Sequence, residues 1–298
     1  MKRMFFAVSV LALLLAPTMV SAQPPDQIEN REAGEKYNEA RALYQQGKYQ
    51  EALDLLIEAT KLQPGFFQAH YLAGLAYKSL RQLDEAIAQY EASVKFNPNF
   101  YQCSFALGVA YQEKNDPPKA IEAYQNAVQA CDRTGRTYPK APFNLGALLM
   151  EQGRADEALT AFGKVIQWEP DNARAYNYMG RIYRDRGDND NALMNFTLAA
   201  QKEPNWWEPY FFQASVYNSL GSYDNAIRTA DQALERQPGN GGALFEKGMA
   251  LKNQEKWDEA IAVFEQAARD AMWRQSANHQ IELVKNRDKY ITDIPPCD

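Results

Sequence analysis

The sequence predicts an all-helical solenoid in which pairs of antiparallel helices stack along the chain. Small residues recur every 34 residues, with one step of 38, at Ala40, Gly74, Gly108, Gly146, Gly180, Ala214 and Gly248. An alanine follows each of them twelve residues later, at Ala52, Ala86, Ala120, Ala158, Ala192, Ala226 and Ala260. A helical hairpin of this length cannot bury its own apolar face, so neighbouring units must stack on one another.

The composition agrees with an ordered helical chain and excludes several classes of protein. Of 298 residues, 46% are hydrophobic and 23% charged, which is not typical of disorder. The formal net charge of -6 provides no broad basic surface, so nucleic acid is not an expected partner. Three cysteines and two histidines form no zinc-binding motif, and no catalytic motif is present. We therefore expect a protein that is not an enzyme and that holds no metal or cofactor.

Residues 1–22 are predicted to be a secretory signal peptide. Two basic residues precede an apolar run from Met4 to Ala16, and Val20 and Ala22 occupy the −3 and −1 positions of a cleavage site. The run is shorter than the roughly 20 residues of a transmembrane helix. We expect an exported protein, periplasmic in a Gram-negative source and otherwise secreted, that is not integral to the membrane after cleavage. The alternative is an uncleaved N-terminal anchor.

After a polar linker, predicted at residues 23–32, seven units each contain two helical stretches separated by a short break. Five units end with a proline, which cannot continue the second helix: Pro64, Pro98, Pro170, Pro204 and Pro238. Unit length, small residues, alanines and prolines together resemble the tetratricopeptide repeat family. The resemblance implies a right-handed α-solenoid with repeats at 33–66, 67–100, 101–134, 139–172, 173–206, 207–240 and 241–274.

The third repeat departs from this pattern at its end. It has Asp132 where other repeats have proline, and four extra residues, 135–138, follow it. We expect its second helix to run on by about one turn of 3.6 residues and the solenoid to change curvature there. The alternative is a longer exposed loop around Gly135 that leaves the curvature unchanged.

Residues 275–298 are predicted to form a capping helix and a tail. An apolar stripe contains Ala277, Ile281, Val284 and Ile291. Such a stripe suits a helix that covers the open edge of the last repeat.

The family resemblance also implies where a partner binds, because the first helix of each repeat lines the concave face of the solenoid. The fifth position of that helix is aromatic in six of seven repeats: Tyr37, Tyr71, Phe105, Phe143, Asn177, Phe211 and Phe245. Such a stripe offers apolar and stacking contact to a peptide or to sugar rings. The alternative is that these rings only pack between helices.

Arginines surround the one polar member of the stripe. Arg174, Arg181 and Arg184 lie on the same predicted helix as Asn177. They can hold a carboxylate through charge-assisted hydrogen bonds, unless Asp185 and Asp188 neutralise them. The carboxylate clamp known in this family, built from Lys, Asn and Arg, does not map onto these positions.

These features predict a protein-interaction adaptor of the cell envelope that binds a partner polypeptide in its concave groove. Two alternatives stay open at this point. The aromatic stripe could bind cell-wall glycan, or the chain could be the regulatory subunit of an envelope enzyme.

A disulfide is predicted between Cys103 and Cys131. Because the two helices of the third repeat run antiparallel, both thiols fall at the same end of the hairpin. Export would place them where disulfides persist. The alternatives are a bond from either cysteine to Cys297, or three free thiols.

Overall fold

The computed structural model describes residues 30–287, and within them the chain forms fifteen α-helices and no strand. The all-helical solenoid predicted from the sequence is therefore confirmed. The predicted signal peptide, most of the linker, and the tail with Ile291 and Cys297 lie outside the described residues. None of the helices between residues 30 and 287 has the length and apolarity that a bilayer-spanning segment requires.

The helices pair into seven hairpins, and a final helix follows them. The first four pairs are α1 (Arg31–Gln45) with α2 (Tyr49–Leu62), α3 (Phe67–Ser79) with α4 (Leu83–Phe96), α5 (Tyr101–Glu113) with α6 (Pro117–Thr134), and α7 (Lys140–Glu151) with α8 (Ala155–Trp168). The others are α9 (Ala173–Asp185) with α10 (Asn189–Lys202), α11 (Glu208–Ser219) with α12 (Tyr223–Arg236), and α13 (Gly241–Asn253) with α14 (Trp257–Ala267), before α15 (Arg274–Lys285).

Helix α1 begins two residues earlier than the predicted repeat, in the stretch assigned to the linker. The side chain of Asn30 accepts a hydrogen bond from the backbone N–H of Ala33 and so caps the helix. Asparagine is among the preferred residues at this position, because its side chain satisfies one of the free N–H groups of the first turn. Arg31 and Glu32 are therefore the first turn of α1 and not part of a linker.

Each turn between the two helices of a hairpin contains one residue in the left-handed region. Four of these residues are glycines, Gly47, Gly153, Gly187 and Gly221, and the others are Arg81, Asn115 and Glu255. A left-handed residue just after a helix satisfies its last carbonyl groups and reverses the chain direction. The short breaks between the two helical stretches of each unit are therefore turns of one kind, each with a left-handed residue, in all seven hairpins.

Large rings of the second helices form the centre of the hairpins. Tyr90, Tyr124, Phe162, Phe196 and Phe264 are fully buried, each against the small residue of the preceding first helix. Alanines of both helices fill the space around them. The alternation of large and small residues therefore sets how closely the two helices of a hairpin approach.

The third repeat shows the expected extension. Helix α6 has 18 residues, whereas α4 and α8 have 14 each. It ends at Gly135, whose φ of 64° gives a left-handed cap. The chain thus contains both the longer helix and an exposed turn at Gly135 before α7.

Helix α15 covers the last hairpin, as the sequence predicts. Ala277, Ile281 and Val284 are buried, and the first two belong to one apolar cluster with Phe264 and Leu251 of the seventh repeat.

The predicted disulfide between Cys103 and Cys131 is not formed, because both are buried free thiols. The thiol of Cys103 donates to the carbonyl oxygen of Tyr90 at 3.4 Å, in the preceding repeat. The thiol of Cys131 makes no hydrogen bond with any residue that the structure describes. Burial raises the pKa of Cys103 to about 12 and that of Cys131 to about 11. A shared end of the hairpin is therefore not sufficient to bond the two thiols, and Cys103 instead contacts the preceding repeat.

Candidate functional site

In the first half of the solenoid, the aromatic stripe predicted from the fifth positions packs against rings that lie just before the first helix of the next repeat. Its six aromatic members are all partly buried. Centroid distances are 5.0 Å for Tyr37–Phe66, 5.0 Å for Tyr71–Phe100 and 5.1 Å for Phe105–Tyr138. The rings therefore join consecutive repeats, and their contact with a partner stays a prediction.

The stripe is arranged differently in the second half of the solenoid. Phe143 contacts Phe162 and Tyr178, with centroids 5.7 and 5.5 Å away. At the other end, Trp273 lies 5.0 Å from Phe245 and 6.2 Å from Phe211. The sequence did not point to Trp273, because it lies in the segment between α14 and α15, at the very end of the seventh repeat and outside the fifth-position pattern. This ring closes the stripe at the last repeat.

Asn177 is the buried polar residue of the stripe, with 1% of its surface exposed. Its amide nitrogen donates to Oε1 of Glu208 at 3.1 Å, which fixes the orientation of the amide. The other end of the amide, Oδ1, is buried and accepts no hydrogen bond. Leaving a buried polar atom unsatisfied destabilises a protein by about 1–3 kcal/mol. Asn177 therefore keeps one unsatisfied acceptor in the interior, beside its bond to Glu208.

Arg181 lies one helical turn after Asn177 and is held between two aromatic rings. Its guanidinium is 5.1 Å from the ring centroid of Tyr178 and 5.5 Å from that of Phe212. Its Nε is buried and donates to no acceptor, whereas its terminal nitrogens are not enclosed. It forms no ion pair with any residue that the structure describes. The structure thus presents a fixed, stacked cation whose charge is not neutralised.

The other two predicted arginines differ from Arg181. Arg184 lies 4.7 Å from the ring of Phe212 and pairs with Asp185 at 2.7 Å. Arg174 is exposed and makes no hydrogen bond or ion pair within residues 30–287. Asp188 accepts from the backbone of Asn191 and caps α10. Of the two acids considered as neutralising partners, only Asp185 pairs with an arginine of this group.

A carboxylate that the sequence analysis missed completes the arrangement. Glu246 on α13 accepts from the side-chain amide of Asn218 on α11 at 2.7 Å. Burial raises the pKa of Glu246, and hydrogen bonds from Asn218 and Ser215, followed by the charge of Arg184, oppose that shift. The sequence did contain a clue to Glu246. It is an acid at the sixth position of its repeat, where the two preceding repeats have the aromatic residues Tyr178 and Phe212.

Three first helices, α9, α11 and α13, thus bring one group of polar side chains together. We call this group the polar patch; it consists of Asn177, Arg181, Arg184, Glu208, Asn218 and Glu246. It offers a cation whose terminal nitrogens are not enclosed and which forms no ion pair within the described residues. Such a surface can bind a ligand that carries a hydrogen-bond acceptor.

Comparison with known families decides the classification of the chain. Two family models, both described as tetratricopeptide repeat, match the sequence. One matches residues 37–99, 76–135 and 213–276, and the other residues 111–182 and 149–207. The chain belongs to the tetratricopeptide repeat family. No curated protein matches it.

Solved tetratricopeptide repeat structures have the same fold. The pilF protein of Pseudomonas aeruginosa is 20% identical, with a TM-score of 0.56 over 72% of this chain and 97% of its own. YrrB, a tetratricopeptide repeat protein with an unusual peptide-binding site, is 18% identical, with a TM-score of 0.55 over 63% and 95%. A repeat protein of Parabacteroides merdae is 16% identical, with a TM-score of 0.53 over 86% and 100%. At these identities the likeness shows the fold alone.

Proposed function

We propose that this protein is a non-enzymatic interaction scaffold that binds a partner polypeptide in the groove lined by its first helices. The observation that carries the proposal is the guanidinium of Arg181, which lies beside Tyr178 and Phe212 and forms no ion pair within the described residues. Its terminal nitrogens are not enclosed and donate to no acceptor of the described chain. A polypeptide supplies such acceptors through its backbone C=O groups and its acidic side chains.

The surroundings of Arg181 favour a polypeptide segment. Tyr178 is half-buried beside the guanidinium and offers apolar surface to side chains of a bound segment. Phe212, which is buried, holds the guanidinium from below. YrrB, which has the same fold, has a peptide-binding site, so the fold accommodates such a ligand.

The proposed place of action is the cell envelope or the extracellular space. Support comes from the N-terminal pattern alone, in which basic residues, an apolar run and a small-residue cleavage site follow one another. In a Gram-negative source the mature protein would act in the periplasm. A fusion of residues 1–22 to a reporter that is active only after export tests this part of the proposal.

Site-specific crosslinking in native extract tests the binding proposal. A photoreactive residue replaces the exposed Arg174, on the same helix as Arg181, and mass spectrometry identifies the crosslinked segment. A matched probe replaces Arg228, an exposed arginine on the second helix α12. We expect a defined polypeptide segment to crosslink at position 174 and not at position 228.

Affinity for the identified segment then tests the role of Arg181. We expect Arg181→Gln to weaken binding about tenfold, as for the loss of one hydrogen bond to a charged group, and Arg228→Gln to leave it unchanged. Equal affinity of Arg181→Gln and the unaltered protein, or crosslinks from α12 alone, would show that the groove is not the binding site.

A further inference from the structure

A second pocket lies at the edge of the solenoid, where α3 and α5 begin and α6 ends. Its volume is about 300 Å³, and its lining includes Phe67, Asn97, Asn99, Gln102 and Arg136. We call it the rim pocket. The last of these residues belongs to the four-residue insertion after the third repeat, so the other repeats have no counterpart of it. None of its lining residues belongs to the polar patch.

Asn97 presents a hydrogen-bond donor to the rim pocket. The residue is only 8% exposed, and its Oδ1 accepts from the backbone N–H of Asn99 at 3.0 Å. This bond fixes the amide, because the reverse orientation would place two donors against each other. The amide nitrogen has no acceptor among the residues that the structure describes. A side chain that is nine-tenths buried therefore keeps an unused donor at the pocket.

Further donors come from the start of α5 and from the insertion. The backbone N–H of Gln102 lies in the first turn of α5, makes no hydrogen bond, and follows a helix start without a side-chain cap. Arg136 is exposed and forms no ion pair within the described part of the chain. The Oδ1 of Asn99 already accepts from Arg133 at 2.8 Å, which leaves its amide nitrogen as a donor. A helix N-terminus with an arginine beside it favours negative charge.

The rim pocket has no opposing carboxylate. Its lining contains no Asp or Glu, although the whole chain has 38 of them against 32 Lys and Arg. Asn97 directly follows α4, and Gln63 and Gln237 follow α2 and α12, so these three junctions have neutral amides. Glu169 and Glu203, which follow α8 and α10, would repel an anion. Among the neutral junctions, the one after α4 also has Arg136 of the insertion in its pocket.

The walls of the pocket restrict the ligand further. Phe67 and Phe100 pack edge to face with centroids 5.1 Å apart, and both line the cavity with Tyr101. A cavity of this size is larger than a bare anion needs, and aromatic walls favour contact with a planar apolar group.

We propose that the rim pocket binds a small organic anion in which a carboxylate is attached to an aromatic or similarly apolar group. The carboxylate accepts from the amide nitrogen of Asn97, from the N–H of Gln102 and from Arg136. The apolar part lies against Phe67 and Phe100. This site is separate from the groove, so it does not depend on the proposed scaffold function.

Titration with benzoate, followed by ¹H–¹⁵N correlation spectra of the full-length mature chain, tests the proposal. Sodium chloride keeps the ionic strength constant, and benzamide serves as the neutral analogue of the same shape. We expect saturable shifts of the Gln102 N–H and the Asn97 side-chain amide with benzoate, and none with benzamide. Shifts of equal size with both compounds, or no saturation with benzoate, would overturn the proposal.

Substitutions separate the anion site from general charge effects. Asn97→Asp keeps the bond from Asn99 but turns the donor into a carboxylate, and we expect it to abolish benzoate binding. Gln237→Glu makes the same charge change at the end of α12, in another repeat, and is expected to leave binding intact. Arg136→Gln, at an exposed position, is expected to weaken binding about tenfold. Unchanged benzoate affinity in both Asn97→Asp and Arg136→Gln would contradict the assignment, as would an equal loss in Gln237→Glu.

Discussion

Gly108 and Tyr124 are in such close contact that no larger residue fits at position 108. A Cβ placed on Gly108 would lie 2.5 Å from Cδ1 of Tyr124, far inside van der Waals contact. Tyr124 itself is fully buried, and its hydroxyl donates to Gln112 at 2.9 Å. The ring can therefore not move away without losing both its packing and its hydrogen bond. The small residue recurs in the sequence because the ring of the second helix occupies the space that a larger side chain would need.

We predict that Gly108→Ala lowers the free energy of unfolding by about 1–3 kcal/mol, because the added methyl group overpacks the hairpin. Urea denaturation of the purified protein measures the effect. Gly163→Ala is the matched control, since Gly163 also lies within a helix but has no atom within 4 Å of the position that a Cβ would occupy. The control should gain up to about 1 kcal/mol from higher helix propensity. A loss of similar size in both variants would mean that the contact with Tyr124 is not the cause.

We predict that Glu246→Gln stabilises the protein at neutral pH. Burial raises the pKa of Glu246 above its ordinary value of 4.5, so the folded state binds the proton more tightly than the unfolded chain. Stability from protonation is then present at low pH and is lost as the pH rises through the raised pKa. Glutamine retains an oxygen for the bond from Asn218 and carries no charge.

Urea denaturation at pH 7 and at pH 4 measures this difference. The variant should exceed the unaltered protein in stability at pH 7, and the gap should narrow at pH 4. Glu235→Gln, at a side chain that is 74% exposed, is the control and should change stability by less than about 0.5 kcal/mol at either pH. A variant that is less stable than the unaltered protein at pH 7 would contradict the prediction.

Cys103 and Cys131 should resist thiol reagents in the folded protein. Both are buried, and burial raises their pKa values to about 12 and about 11. The reactive thiolate is therefore scarce at pH 8. In a Cys297→Ser background, mass spectrometry after treatment with iodoacetamide should show no modification without denaturant and two modifications in guanidinium chloride. Rapid modification of the native protein, or a non-reduced peptide map with the two cysteines linked, would refute this expectation.

Trp273→Ala should destabilise the C-terminal end of the solenoid. The ring packs on Phe245 and Phe211, and because it is partly exposed we expect a loss of about 2 kcal/mol, below the range for fully buried aromatic residues. Met272 is the neighbouring residue, and its surface is 83% exposed. Met272→Ala should therefore stay within about 0.5 kcal/mol. Thermal unfolding compares the two variants, and equal melting temperatures would show that Trp273 does not hold the last repeat.

Residue size and periodicity predicted the fold because each hairpin repeats the same local requirement. The small residue at Gly108 and the alanine at Ala120 lie at fixed positions in every unit, and these positions determine which helix faces meet. The capping helix was predictable for the same reason, since the stripe at Ala277 and Ile281 has the helical spacing of a buried face. The spacing of 34 residues between successive small residues, with its one step of 38, was enough to place seven hairpins and their turns.

The candidate sites were only partly predictable. The sequence placed Asn177 and Arg181 on one helix, but it did not show that the amide of Asn177 bonds to Glu208, 31 residues away, or that Phe212 fixes the guanidinium. These contacts depend on how consecutive first helices are rotated against each other.

Packing between repeats also explains why the predicted disulfide was wrong and why the sequence did not reveal the rim pocket. Cys103 and Cys131 share one end of a hairpin, as the antiparallel arrangement requires, yet both thiols are free and that of Cys103 bonds to Tyr90 of the preceding repeat. At the rim pocket, Asn97 and Arg136 belong to separate repeats. The sequence alone determined the repeating unit and its number, because these follow from local size and periodicity. Only the tertiary structure decided which polar groups meet, because side-chain direction depends on the packing between repeats.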